Sequence, residues 1–314
     1  MSNKKITVIG HANVDVLAVP VDFDMITAGS LPMKDIVMSC GGGALNEAVI
    51  LKRLGAEVEL VSKVGADEAG EHILNFIKNE HIPTDGIIKA PSGITSVNVV
   101  LVDASGERYF LTNPGGANRK MDKSDIWPFL DTESEIVSFP AMFVSPILDT
   151  VALSDIFKKI KSRPGRVLAV DMTKPKNGET LEDLKECLKH ADYIFPNEAE
   201  SCMITGKNDP YENAKLFADT GVKCVVIKRG AAGCLIYENG RYIEIPAYPV
   251  VNVTDTTGAG DSFMAGFLYG LCNGYTTEEC GRFGNAVASC VVEGLGAAYG
   301  VESAQKPLER FKSI

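Results

Sequence analysis

Asp255-Thr256-Thr257-Gly258-Ala259-Gly260-Asp261-Ser262-Phe263 is the stretch on which the reading of this chain turns. Residues 250–253 approach it in an extended pattern, and Phe263, Met264, Phe267, Leu268 and Leu271 leave it at helical spacing. An extended approach, a turn of small residues and a helix leave unpaired backbone N–H groups at the positive end of the helix dipole. Gly258, Ala259 and Gly260 add almost no side chain, so an anion can approach those groups closely. Asp261 then conflicts with its surroundings, because a carboxylate repels an anion. The conflict disappears if Asp261 accepts a proton from a hydroxyl that attacks the anion. Phosphoryl transfer through a loose transition state needs little early proton removal, so a well-placed carboxylate suffices. The bland alternative is glycine spacing for tight helix packing, with Asp261 as a helix cap.

Working outward, short apolar runs alternate with amphipathic segments. Strands are expected over 6–9, 58–64, 136–144, 167–171, 193–195 and 224–228. Helices are expected over 44–54, 68–79, 150–161, 181–190 and 211–218, and two long ones over 258–272 and 277–292. Strand followed by helix, repeated, predicts an α/β chain with a parallel sheet covered on both faces. Glu238-Asn239-Gly240 between two short apolar runs predicts a hairpin. Residues 14–38 and 86–112 break the rhythm with strand-like runs, the second around the turn Asp103-Ala104-Ser105-Gly106-Glu107. They are expected to join into a small sheet over the mouth of the main one, a lid that excludes water. One domain over 1–314, interrupted by these two segments, is the expected organisation.

The chain has 314 residues and a net charge of −10, which gives no basic excess for nucleic-acid phosphates. No apolar run reaches the roughly 20 residues of a membrane span. The N-terminus leads straight into the first strand without a signal-peptide pattern. The 8 cysteines show no C-x-x-C spacing and read as buried small hydrophobes in a reducing cytoplasm. His11, His72, His81 and His190 show no metal-ligand spacing. Gly10-His11-Ala12-Asn13 after the first strand is not a dinucleotide fingerprint, and there is no Walker A motif.

The 255–263 stretch resembles the C-terminal signature of the ribokinase (PfkB) family of sugar and nucleoside kinases. Gly41-Gly42-Gly43-Ala44-Leu45-Asn46-Glu47-Ala48, Leu54-Gly55 and Val64-Gly65-Ala66-Asp67-Glu68-Ala69-Gly70 are similar to its N-terminal signature. Asn13-Val14-Asp15, Gly115-Gly116-Ala117-Asn118, Pro196-Asn197-Glu198-Ala199-Glu200, Lys228-Arg229-Gly230-Ala231-Ala232-Gly233 and Asn285-Ala286 follow in the family's order. The resemblance spans roughly residues 5–300.

It implies a three-layer α/β/α sandwich with a mostly parallel sheet and a small β-sheet lid. It implies ATP-dependent phosphorylation of a primary hydroxyl of a sugar that is ribose-, fructose- or keto-deoxy-sugar-like, with Asp261 as base and Gly258, Ala259 and Gly260 as anion hole. Asn13, Asp15, Gly42, Gly43, Asn46 and Asp255 stand at substrate positions. Amide and carboxylate groups there suit a polyol's donors and acceptors. Asn197, Glu200, Lys228, Gly230, Gly233 and Asn285 stand at nucleotide positions, with Mg²⁺ placed by Glu200 through water. Asn197 and Glu200 also fit a plain capping arrangement. A K⁺ site at Asp255 and Thr257, and a homodimer through the lid, are implied as well.

Gly43 and Ala44 replace the Lys and Gly usual in ribokinases, and no acidic sugar contact appears near Phe143-Val144-Ser145-Pro146. Asp171-Met172-Thr173-Lys174 only partly matches the Asp-x-Asn-x-Arg of fructokinase-like members. The sugar stays open. A nucleoside kinase and a non-catalytic sugar or nucleotide sensor are the alternatives.

Overall fold

The computed structural model describes residues 4–22, 33–103, 108–294, 296–298 and 300–313. The turn expected at 103–107 and the middle of the 14–38 segment fall largely outside these residues.

The apolar runs build a nine-stranded sheet. Its strands are β1 (Lys5–Ile9), β4 (Glu57–Gly65), β5 (Ile87–Ala90), β8 (Ile136–Phe139), β9 (Val167–Val170), β10 (Tyr193–Ile194), β11 (Cys224–Lys228), β12 (Cys234–Glu238) and β13 (Arg241–Ile245). The order across the sheet is β13-β12-β11-β10-β9-β8-β1-β4-β5. From β5 to β11 every pairing is parallel, and the Asn239-Gly240 hairpin adds β12 and β13 antiparallel. Alternate residues of each strand enter opposite layers of core. Ile6, Val8, Leu60 and Val226 face one layer, and Ile9, Val61, Val137 and Ile227 face the other. Burial on both faces is why central strands such as β9 and most of β11 read as apolar runs.

Helices α1 (Gly43–Arg53), α2 (Glu68–Asn79), α8 (Ala259–Cys272), α9 (Thr277–Val291) and α10 (Gln305–Lys312) cover the first layer. Helices α3 (Lys123–Ile126), α4 (Thr150–Lys161), α5 (Leu181–Leu188), α6 (Glu198–Thr205) and α7 (Pro210–Ala218) cover the second. Side chains of Asp67, Asp149, Thr180, Asn197, Asp209 and Thr276 cap their helices. Among the described residues no helix is long and apolar enough to cross a membrane.

The segments that break the rhythm form a second sheet. Strands β2 (Asn13–Val21), β3 (Asp35–Gly41), β6 (Val97–Asp103) and β7 (Arg108–Thr112) lie in the order β3-β2-β6-β7. β2 and β6 are parallel, from Val14 beside Val97, while the outer strands are antiparallel to their neighbours. Ile36, Met38, Phe110 and Leu111 on those outer strands are exposed.

Three boundaries differ from the sequence expectation. β8 stops at Phe139 rather than 144, because Pro140 has no N–H for the ladder and Ala141 turns the chain at φ 59°. β5 joins the main sheet beside β4, so residues 86–112 divide between the two sheets. Residues 250–253 pair with no strand, and Val251 and Val253 are exposed.

Candidate active site

The sheet order reverses at β1 and β8, because β4 lies on one side of β1 and β8 on the other. α/β sheets bind ligands beyond the carboxyl ends of strands at such a switch point. The N-termini of α1 and α8 converge there. Asn46, in the first turn of α1, donates through Nδ2 to Asp261 Oδ2 at 2.8 Å. A Cβ on Gly43 would sit 3.3 Å from both Asp261 Oδ1 and His11 Cε1, so the α1 backbone touches the carboxylate.

Gly258 precedes α8 in the left-handed region, at φ 72°. A Cβ there would lie 2.5 Å from the Ala297 carbonyl oxygen, so only glycine fits. The N–H groups of Gly258, Gly260 and Asp261 have no acceptor among the described residues, whereas that of Ala259 bonds the Thr256 carbonyl at 3.3 Å. Lys228 lies under this turn. Its Nζ is 3.3 Å from where a Gly260 Cβ would be, and it pairs with the Asp171 carboxylate.

A cavity of about 580 Å³ opens beside these groups. Lys228, Gly230, Gly233, Thr256, Gly260 and Asn285 are among its lining residues. Asn285 donates to the carbonyls of Pro246 at 3.0 Å and Ile245 at 3.4 Å, which fixes its amide. Asn197 and Glu200 form a reciprocal cap at the start of α6, each side chain bonding the other's backbone N–H at 2.8 Å. This is the capping arrangement their spacing allows, and the Glu200 carboxyl also faces Lys228 and Asp261 electrostatically. Asp255 is buried, and its two oxygens accept from Thr257 N–H and Gly296 N–H, each at 2.7 Å. That ties the turn before α8 to the segment after α9.

The other wall is the junction of the two sheets. Asp15 Oδ1 accepts from Asn13 Nδ2 at 2.6 Å and from Asn98 Nδ2 at 2.8 Å. Gly41 abuts the Asp15 carboxylate, and Gly42, with φ 102°, lies against Asn13. The structure thus separates the sequence candidates into two groups. Asn13, Asp15, Gly42, Gly43 and Asn46 lie on the β2–α1 side, and Lys228, Gly230, Gly233 and Asn285 line the cavity.

Three side chains at the site carry no role in the sequence reading. Asn98 looks like an ordinary strand residue until β6 pairs with β2. His11 follows β1 and accepts from Gly43 N–H through Nε2 at 3.1 Å, which leaves the proton on Nδ1, buried and without an acceptor. Burial holds its imidazole down at about 4, with Asp261 pulling the other way and Arg119 and Lys176 adding to the depression. Glu47 is completely buried on α1, and among the described residues neither oxygen has a hydrogen-bond partner. Burial pushes its carboxyl well above the ordinary range, and Asp261 and Asp171 add to this. The only signal in the sequence was an acid inside an otherwise apolar helix.

Glu47 therefore holds a proton more tightly in the folded chain than in the unfolded one. Its ionisation costs the fold progressively more as pH rises above the ordinary carboxylate range. Glu47→Gln is expected to raise the melting temperature by a few degrees at pH 8 and to leave it unchanged near pH 4. An equal shift at both pH values would show that the charge is not the cause.

Carboxyls of Asp171, Glu200 and Asp261 gather around the ammonium of Lys228, with protonated Glu47 behind them. The oxygen donors of Glu200 and Asp261 fit Mg²⁺. No three acidic, His or Cys side chains among the described residues form a metal-binding group.

The sequence model of the pfkB family carbohydrate kinases matches residues 3–304. The chain belongs to this family. An uncharacterized sugar kinase of Archaeoglobus fulgidus is 32% identical over 260 residues, 80% of this chain and 97% of that protein. The pfkB chain is also similar to the crystal structure of ribokinase from Thermotoga maritima, with TM-score 0.82 and 25% identity, over 98% of this chain and 99% of that one. The fold matches equally well, at TM-score 0.82, that of Arabidopsis thaliana ribokinase complexed with ribose and ATP, at 24% identity over 98% and 99% of the two chains. The chain shares the fold of these ribokinases, and it is a carbohydrate kinase of the pfkB family.

Proposed function

We propose that this kinase transfers the γ-phosphoryl group of ATP to a primary hydroxyl of a sugar, with Asp261 as the base. The observation that carries the reading is the Asn46–Asp261 hydrogen bond at the meeting of two helix N-termini. Asn46 occupies Oδ2 and turns Oδ1 toward Gly43, where a hydroxyl held by the β2–α1 wall would lie. The hydroxyl oxygen attacks the γ-phosphorus, its proton passes to Asp261 Oδ1, and the bond to the β,γ-bridging oxygen breaks to release ADP. The unpartnered N–H groups of Gly258, Gly260 and Asp261, with Lys228 beneath them, match the charge on the transferred group. Mg²⁺, held with ATP near Glu200, supplies charge neutralisation of the phosphates. A K⁺ ion fits less directly: both Asp255 oxygens already accept N–H bonds, so backbone carbonyls would be its main donors.

Asp15, held by Asn13 and Asn98 of the small sheet and abutting Gly41 before α1, places a carboxylate of that sheet at the substrate wall. Asp15→Ala is expected to weaken sugar binding by about 1–3 kcal/mol, the cost of an unpaired buried polar contact, with ATP affinity little changed. Calorimetry with each ligand checks this, and an equal loss for sugar and ATP would reject the assignment. A coupled ADP-release screen over pentoses, hexoses, keto-deoxy acids and nucleosides tests the reaction itself, and a nucleoside as sole substrate would replace the sugar in this reading.

A further inference from the structure

We propose that the sugar this enzyme phosphorylates carries an anionic group, a carboxylate or a phosphate ester, held by Arg119, Lys174 and Lys176. The inference rests on the kinase reading above and names the substrate class of the same site.

The three cations come from two loops at the carboxyl end of the sheet. Arg119 lies in the short turn Ala117–Lys120, whose carbonyl at 119 accepts from Ser145 Oγ at 3.0 Å, just beyond β8. Lys174 and Lys176 lie in the loop after β9. Glu179 Oε2 pins that loop by accepting from the N–H groups of Lys176 and Asn177, both at 3.0 Å. Asn177 Nδ2 bonds the Pro146 carbonyl at 3.2 Å, and Met142 N–H bonds the Asp171 carbonyl at 2.9 Å. These hydrogen bonds fix the backbones of both loops.

The charges converge on the reacting centre. Arg119 and Lys176 both bear on His11, the neighbour of Gly43 and Asp261. Arg119 and Lys174 both bear on Lys176, whose ammonium is held below its usual range by partial burial and by these two like charges, with Glu179 pulling the other way. Among the described residues none of the three forms an ion pair, although the chain carries a net charge of −10 and carboxylates are in excess. Elsewhere at the same sheet end cations are matched: Lys228 by Asp171, and Arg229 by Glu198 and Glu244. Arg119 has only a long contact, 3.4 Å, to Thr112 Oγ1. Glu179 gives its second oxygen to Asn177 Nδ2 at 3.1 Å.

Hydrogen-bonding capacity points the same way. Among the described residues His11 Nδ1–H and the Thr173 hydroxyl, in the same loop as Lys174 and Lys176, are buried without partners. Three cations and two unused donors suit an anion better than a neutral polyol, because bringing like charges together is unfavourable until a counter-charge enters. The ATP phosphates have their own donors on the opposite wall, at Lys228 and the turn before α8.

The test is steady-state turnover of the full chain with ATP on matched substrates of equal carbon number: neutral sugars, aldonic and 2-keto-3-deoxy acids, and sugar monophosphates. The expected result is a kcat/KM about 100-fold higher for one anionic class than for neutral sugars, with Arg119→Gln and Lys176→Gln each cutting that preference about tenfold. The acid and monophosphate arms decide which anion is meant. Neutral sugars turned over as well as both anionic classes, or variants that lower neutral and anionic turnover equally and raise the KM for ATP, would overturn the proposal. The second pattern would place the cations on the nucleotide. If no compound releases ADP, the kinase reading fails, and calorimetry without nucleotide decides the present claim. Binding of an anionic sugar that both variants weaken supports it, and binding that ignores charge refutes it.

Discussion

Replacing Asp261 with Asn is expected to lower kcat by about 10²–10⁴-fold, the usual worth of a positioned base, while the fold and both KM values stay near wild type. The amide keeps an oxygen for Asn46 Nδ2, so the 2.8 Å bond between α1 and α8 survives the change. Only the capacity to take a proton on the other atom is lost. Stopped-flow or steady-state ADP release, together with thermal melting, checks both halves. A variant that keeps more than about a third of wild-type turnover removes Asp261 from the base role. One that melts several degrees lower assigns it to holding the two helices together.

Removing Lys228 should have the largest effect on stability. Its side chain is 13% exposed and that of Asp171 7%, so the pair lies almost wholly out of water. Burial alone would lower the Lys228 ammonium, but Asp171, Glu200 and Asp261 together lift it above its usual range. Burial pushes the Asp171 carboxyl upward, only partly countered by Lys228. Lys228→Met therefore leaves Asp171 buried without its cation, beside Glu47 and Glu200. Breaking a buried pair in this way costs about 3–5 kcal/mol. The double variant with Asp171→Asn is expected to recover most of that loss, because no unpaired charge remains. Denaturant unfolding of the two single variants and the double measures the coupling. Additive losses would show that the two side chains do not act as a pair. Turnover is expected to stay low in the double variant even where stability returns, because the cation beneath Gly260 is still missing.

Much of this architecture was legible in the chain. Runs such as Ile6–Ile9 and Cys224–Ile227 are mostly apolar because a parallel sheet buries both faces, and Asn239-Gly240 specifies its hairpin by local turn chemistry. The 255–263 stretch could be read because the roles of its residues depend on one turn and one helix start. Where the reading missed, the cause lay in distant parts of the chain. The end of β8 follows from Pro140 and the turn at Ala141, which an apolar run through 144 conceals. Glu47 stands out in the sequence only as an acid in a mostly apolar stretch of α1, and its complete burial follows from how α1 packs. His11 gains a role only because α1 returns Gly43 to it, and Asn98 only because β6 pairs with β2. The three cations 119, 174 and 176 come from loops whose meeting no sequence spacing encodes.

Phosphorus NMR of the full chain with ATP, Mg²⁺ and its best sugar tests the central claim most directly. The account predicts a new phosphomonoester resonance, split by the protons of a CH₂ group, that grows one for one with ADP, is absent without sugar, and grows about 10²–10⁴-fold more slowly with the Asp261→Asn variant. Inorganic phosphate growing in step with ADP, or a phosphate ester on a secondary hydroxyl, would contradict it.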